Sequence, residues 1–167
     1  MQNIILQVPL VGQQQGYDGR PSMMPDSRGT MNAHGHMACW YASACMVSYY
    51  FRPGPRLGLP SVWRADNGLN IQAIDELARV EGLEELPKPR RGVTRDFIAE
   101  TLATKGPIWA AVHMPSGHAI ALTGLVADTL HYNDPWEPAR KTAPFSWFSS
   151  RLYNLPNALL VKSIGRS

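Results

Sequence analysis

The stretch HMACWYASACMVSYY, residues 36–50, sets a cysteine directly before a tryptophan and then runs to Tyr50 without glycine, proline or charge. Cys39, Ala42, Ser43, Met46, Val47 and Tyr50 recur at i, i+3, i+4 and i+7. That spacing predicts a helix with those residues on its inward face, terminated by RPGP at 52–55. Cys39 then stands in the first turn, where the positive end of the helix dipole favours a thiolate over a thiol, as a nucleophile requires. Two competing readings are a core thiol, because cysteine is among the most buried residue types, and a metal ligand.

Metal ligation is the weaker of these. His34, His36, Cys39 and Cys45 could supply a zinc site, but the two cysteines point to different helix faces and no CxxC or HxxxH spacing is present. No metal and no other cofactor is expected. Six residues along a helix advance it by about 9 Å, beyond the range of roughly 4.4 to 6.8 Å between Cα atoms that a disulfide tolerates. Both cysteines are therefore expected to be free, with Cys45 in the core.

The chain of 167 residues, 44% of them hydrophobic, is long enough for one domain with one core, so a single domain over residues 1–167 is expected. Its longest apolar stretches, such as Ile108–Val112 and Ala119–Leu122, fall far short of the roughly 20 residues of a membrane span. MQNIILQVPLVG at the start lacks the basic region, long apolar stretch and cleavage site of a secretory signal. The expectation is a protein made in the cytoplasm that stays there or leaves without a cleaved signal. The net charge is +3, and its one local excess, PKPRRGVTR at 87–95, is broken by prolines and holds no aromatics. It reads as a solvated linker, and neither nucleic acid nor membrane is an expected partner.

Residues 3–10, NIILQVPL, read as a short β segment ending at a proline, and Gly12 to Gly35 as a long aperiodic loop. A second helix is predicted over 70–82, with Asn70 as cap, Ile71, Ile74, Leu77 and Ala78 inward and Gly82 as stop. A third covers 94–106, capped by Thr94 and stopped by Gly106 and Pro107. After Pro107 the period becomes that of strands: PIWAAVHM, HAIALTGLVA, TLHYND and NALLVKS, with a tight Ala127-Asp128 turn between the second and third. Helices first and strands later make an α+β order, not the alternation of a parallel sheet.

A cysteine nucleophile needs an imidazole within hydrogen-bond reach and a third group to orient that ring. His34 and His36 lead into the Cys39 helix and are too close to stand across a cleft from it. His113 and His131 lie in strand patterns and could point either way. His118 follows a Pro-Ser-Gly turn at the start of a strand, and the antiparallel return of the next strand brings Asp134 beside it.

Cys, His and Asp in this order resemble the papain-like cysteine peptidases. CWYASACMVSYY is similar to the CWAA...MV..YY helix of AvrRpt-type effector proteases of bacterial pathogens and of the related bacteriocin-leader peptidases. GPIWAAVHMPSGHAIALTGLVADTLHYNDPW resembles their GP(L/I)W...GHA...(T/V)G......(I/Y)NDP block. The resemblance implies a papain-like fold, an N-terminal helix carrying the nucleophile packed on a C-terminal antiparallel sheet. It also implies hydrolysis of an amide bond, with Cys39 as nucleophile, His118 as general base and acid, and Asp134 as orienter. Trp40 is then a packing residue behind the nucleophile. The family's oxyanion-donating glutamine falls about six residues before the cysteine, but here position 33 is alanine. VPLVGQQQG resembles the family's VPLIPQ lead-in, which makes Gln13, Gln14 and Gln15 candidates for that donor, with Asn32 and His34 as others. The Cys39 backbone N–H is the expected second donor.

A protease effector or toxin that cleaves a specific protein in another cell is the function these features imply, with export by a specialised secretion system. A bacterial target would require a cognate immunity protein. Alternatives are a peptidoglycan amidase, a leader-peptide peptidase, or a degenerate papain-fold binding module in which Cys39 is structural.

Overall fold

The structure, a computed structural model, describes residues 2–12, 23–25, 31–33, 39–51, 71–114, 117–136 and 139–163. In chain order its elements are β1 (Ile4–Ile5), β2 (Met23–Pro25), β3 (Met31–Ala33), α1 (Cys39–Phe51), α2 (Ile71–Glu81), β4 (Leu83–Glu85) and α3 (Arg95–Lys105). There follow β5 (Ile108–His113), β6 (Gly117–Val126), β7 (Thr129–Asp134), β8 (Ala139–Pro144), α4 (Phe145–Arg151) and β9 (Leu159–Lys162). The class is α+β, as expected. Among these residues no helix is long and apolar enough to cross a membrane.

One sheet organises the chain. Its strands run β4-β9-β5-β6-β7-β8, with β1 added beside β6, and every pairing is antiparallel. Period-two alternation divides β5, β6 and β9 between two cores. Trp109, Ala111, Ala119, Ala121 and Leu160 face α1 and α2, whereas Ile108, Ala110, Val112, Ile120, Leu122, Leu159 and Val161 face α3 and α4. Both faces being covered, these strands read as nearly unbroken apolar runs. A register shift between Leu122 and Gly124 inserts one residue into β6, so that Leu125 takes the face held before it by Ile120 and Leu122. At Gly124 a Cβ would lie 2.6 Å from the Ile4 carbonyl, so only glycine lets β1 dock there.

The helix that begins at Cys39 differs from its sequence reading. Every residue from Trp40 to Tyr49 is buried, so α1 has no wet face and is a central helix. Small side chains permit this: Ala42, Ser43 and Ala44 pack in the same core as Ala111, Ala119 and Ala121 of the sheet. Polar bonds then fix the register, from Ser43 Oγ to the Ala119 carbonyl (3.0 Å) and from the Trp109 indole N–H to the Trp40 carbonyl (2.9 Å). The helix ends at Phe51, directly before RPGP, and that motif lies outside the described residues.

The other two predicted helices are present as α2 and α3. Thr94 Oγ1 accepts from the Phe97 N–H at 3.1 Å, and Gly106 and Gly82 adopt φ of +88° and +67°, left-handed stops for α3 and α2. Asn70 is outside the described residues; Ile74 and Leu77 are buried as expected, and Ala78 is half-buried. The Gly12 to Gly35 segment is not wholly loop, because β2 and β3 pair within it as an antiparallel ribbon. Strands β4 and β8 and helix α4 were not predicted.

Candidate active site

Cys39 is the first residue of α1, so its side chain and backbone N–H sit at the positive end of a thirteen-residue helix. Both cysteines are free: Cys39 is half-buried and Cys45 lies deep in the core, as read from the sequence. Trp40 is 2% exposed and belongs to the core against which Cys39 packs.

The hairpin β6–β7 brings the other two groups together. A two-residue turn at Ala127 and Asp128 pairs Val126 with Thr129, and the returning register Ala121↔Asn133 sets Asp134 diagonally from His118. His118 Nε2 lies 2.8 Å from Asp134 Oδ1, with the two side chains 10% and 3% exposed. Gly117 precedes His118 for a steric reason, since a Cβ there would stand 2.5 Å from the Tyr153 hydroxyl. With Nε2 held by the carboxylate, Nδ1 is the ring nitrogen left for the Cys39 sulfur, which acts on the ring as a hydrogen-bonding and charged neighbour.

Asp134 has further partners that the sequence reading missed. The Trp136 backbone N–H donates to Oδ1 at 3.0 Å, and the Lys141 ammonium donates to Oδ2 at 2.8 Å. Lys141 comes from β8, paired with Tyr132, and β8 carries no large apolar residue from which a strand could be read. Burial alone would raise the Asp134 pKa, but the bonds from His118, Lys141 and Trp136 outweigh it and hold the carboxyl down at about 2. For His118, burial favours the neutral ring, yet the bonds to Asp134 and Cys39 and their negative charges prevail and lift it to about 9.

These shifts set a pH window for stability. His118 rises from an ordinary 6.5 to about 9, so its contribution is complete below pH 6.5 and lost as pH rises through about 9. Asp134 falls from 3.8 to about 2, so its contribution is complete above pH 3.8 and lost as pH falls through about 2. Thermal unfolding midpoints are expected to decline above about pH 6.5, and His118→Ala is expected to flatten that decline. A decline equally steep in His118→Ala would assign it to other groups.

The two other described histidines are placed elsewhere. His113 is exposed at the end of β5, its ring centroid 3.9 Å from that of Tyr153. His131 alternates to the face opposite Tyr132 and Asp134. Gln13, Gln14, Gln15, His34 and His36 lie outside the described residues; Asn32 lies in β3, with only its backbone described. The chain leading to those glutamines is anchored close by: Val8 and Val11 are buried, and the Val8 carbonyl accepts from Asn133 Nδ2 and the Arg140 guanidinium, each at 3.2 Å.

Chemically, the cluster combines a thiol at a helix N-terminus with an imidazole oriented by a carboxylate, a combination suited to nucleophilic catalysis. The model of the family described as papain-like cysteine protease AvrRpt2 matches residues 26–153. Among solved structures, the chain is similar to a double glycine motif protease from an AMS/PCAT transporter, crystallised in complex with the leader peptide. That likeness has a TM-score of 0.47 at 20% identity and covers 93% of this chain and 97% of the other.

Proposed function

The chain belongs to the papain-like cysteine protease family of AvrRpt2, a family of peptide-bond hydrolases, and from that premise we propose that Cys39, His118 and Asp134 form its catalytic triad. The observation that carries this reading is the His118 ring, bound at 2.8 Å to a buried carboxylate on one side and facing the Cys39 sulfur on the other. In the proposed mechanism the Cys39 sulfur attacks the carbonyl carbon of the scissile amide. The C–N bond breaks as His118 gives its proton to the leaving amine, which leaves a thioester on Cys39. Water attacks that thioester as His118 takes its proton, the C–S bond breaks, and acid product and free Cys39 are released. The Cys39 backbone N–H, at the start of α1, is the proposed oxyanion donor, joined by one of Gln13, Gln14, Gln15, Asn32 and His34. No step calls for a cofactor.

The biological role we propose is that of an effector or toxin, made in a bacterial cytoplasm, exported by a specialised secretion system and cleaving a specific protein inside a target cell. Support comes from the resemblance of the Cys39 helix and the His118–Asp134 block to AvrRpt-type effector proteases. A bacterial target would call for a cognate immunity protein covering the cleft between α1 and β6. The test is to express wild type and Cys39→Ala in a bacterial host, each with and without the adjacent gene, and to compare growth and new protein N-termini. Cys39-dependent toxicity that the neighbour relieves supports an antibacterial toxin. A harmless wild type that cleaves proteins of a eukaryotic lysate supports a eukaryotic target. Cys39-independent toxicity, or new N-termini in neither setting, overturns the role.

A further inference from the structure

We propose that Lys141 is a positioning residue for the triad, a counter-ion that keeps Asp134 ionised and turned toward His118. The inference rests on the triad reading and adds to it a residue from the edge strand β8.

The geometry divides the carboxylate between its two oxygens. Oδ1 takes the His118 ring and the Trp136 N–H, and Oδ2 takes only Lys141 among the bonds described, at 2.8 Å. Rotating the carboxylate would break all three bonds, so Lys141 opposes any turn that would release the ring. Charge gives a second reason. His118 alternates between cation and neutral ring through the proposed cycle, whereas Asp134 is 3% exposed and would be left as a buried anion whenever the ring is neutral. The Lys141 side chain is 39% exposed, so its own charge bears less of that burial cost. Among the described residues, the titratable groups facing Asp134 are His118 from β6, Lys141 from β8 and Tyr132 on its own strand, with Cys39 of α1 across the ring.

Lys141→Met keeps the aliphatic stem and removes the charge; Lys141→Arg keeps a donor cation. Two measurements on the full chain read the effect without a known substrate. One follows the His118 Nε2–H proton resonance by NMR as pH is lowered. The other measures alkylation of Cys39 by iodoacetamide across pH, with the modified residue identified by mass spectrometry. The carboxylate must be ionised to hold the ring, so in Lys141→Met the resonance is expected to vanish at a higher pH than in wild type. Alkylation near neutral pH is expected to slow about tenfold, and its acid limb to move upward. Lys141→Arg should restore both.

Wild-type behaviour of Lys141→Met overturns the proposal. So does a slowed Lys141→Met whose pH dependence is unchanged, or one that Lys141→Arg fails to rescue, because those outcomes describe a purely structural side chain. Cys39→Ala keeps the two readings apart. Residual proteolysis in that variant removes the triad while the resonance still decides whether Lys141 holds Asp134, and an inactive Cys39→Ala beside an unaffected Lys141→Met removes Lys141 alone.

Discussion

Cys39→Ala and His118→Ala are each expected to lower kcat/KM by about 10⁴-fold or more while leaving the protein folded. Without the sulfur no thioester forms, and without the ring nothing takes the thiol proton or protonates the leaving amine. Asp134→Ala is expected to be severe as well, since the ring loses the bond that fixes its Nε2 and the charge that stabilises its cation. Because the three act as a unit, the losses do not add: Cys39→Ala combined with His118→Ala should be little worse than either alone. Cys45→Ala is the control. Its thiol is fully buried in the core, on α1 six residues beyond Cys39, so activity should remain largely intact. Steady-state kinetics on a substrate found from new N-termini, together with circular dichroism of each variant, makes the check. An active His118→Ala would sink the assignment and shift the base to His113 or His131, neither of which the fold turns toward Asp134.

Parts of this architecture are legible in the sequence because their signals are local. The helix from Cys39 is announced by its spacing and α3 by Thr94 and Gly106, and the two-residue turn announces that β7 returns beside β6. That turn alone would set Asp134 opposite Ala121, on the other face from His118, and the residue inserted between Leu122 and Gly124 brings it opposite Ile120. Other parts depend on contacts that no local pattern carries. The amphipathic rule assumes a wet face, so it placed only one side of α1 inward; the helix is buried all round because alanines on α1 and on the sheet allow close approach. Lys141 was invisible because ARKTAP holds no large apolar residue on an exposed edge, where hydrophobic period is absent and pairing to β7 organises the strand. Trp136 contributes through its backbone N–H, which no residue type announces.

Close packing also locates the second large effect, at Trp109. Its side chain is fully buried and its indole N–H donates to the Trp40 carbonyl, one residue after Cys39. Trp109→Ala is expected to lower the unfolding free energy by about 3–5 kcal/mol, from lost burial and the cavity left behind. That is a large part of the about 5–15 kcal/mol that domains possess, so the variant should be substantially unfolded at growth temperature. Trp109→Phe separates burial from the bond, because phenylalanine restores much of the ring but has no N–H. Its loss of the hydrogen bond should cost about 1 kcal/mol. If that bond fixes where α1 begins, Trp109→Phe should also lose activity per folded molecule, since a shifted first turn misaligns the Cys39 sulfur with His118. Urea unfolding gives the stability, and active-site titration with iodoacetamide followed by kinetics gives the activity of the folded fraction. Full activity in a folded Trp109→Phe would mean that apolar packing alone, through the alanines of β5 and β6, sets the position of Cys39.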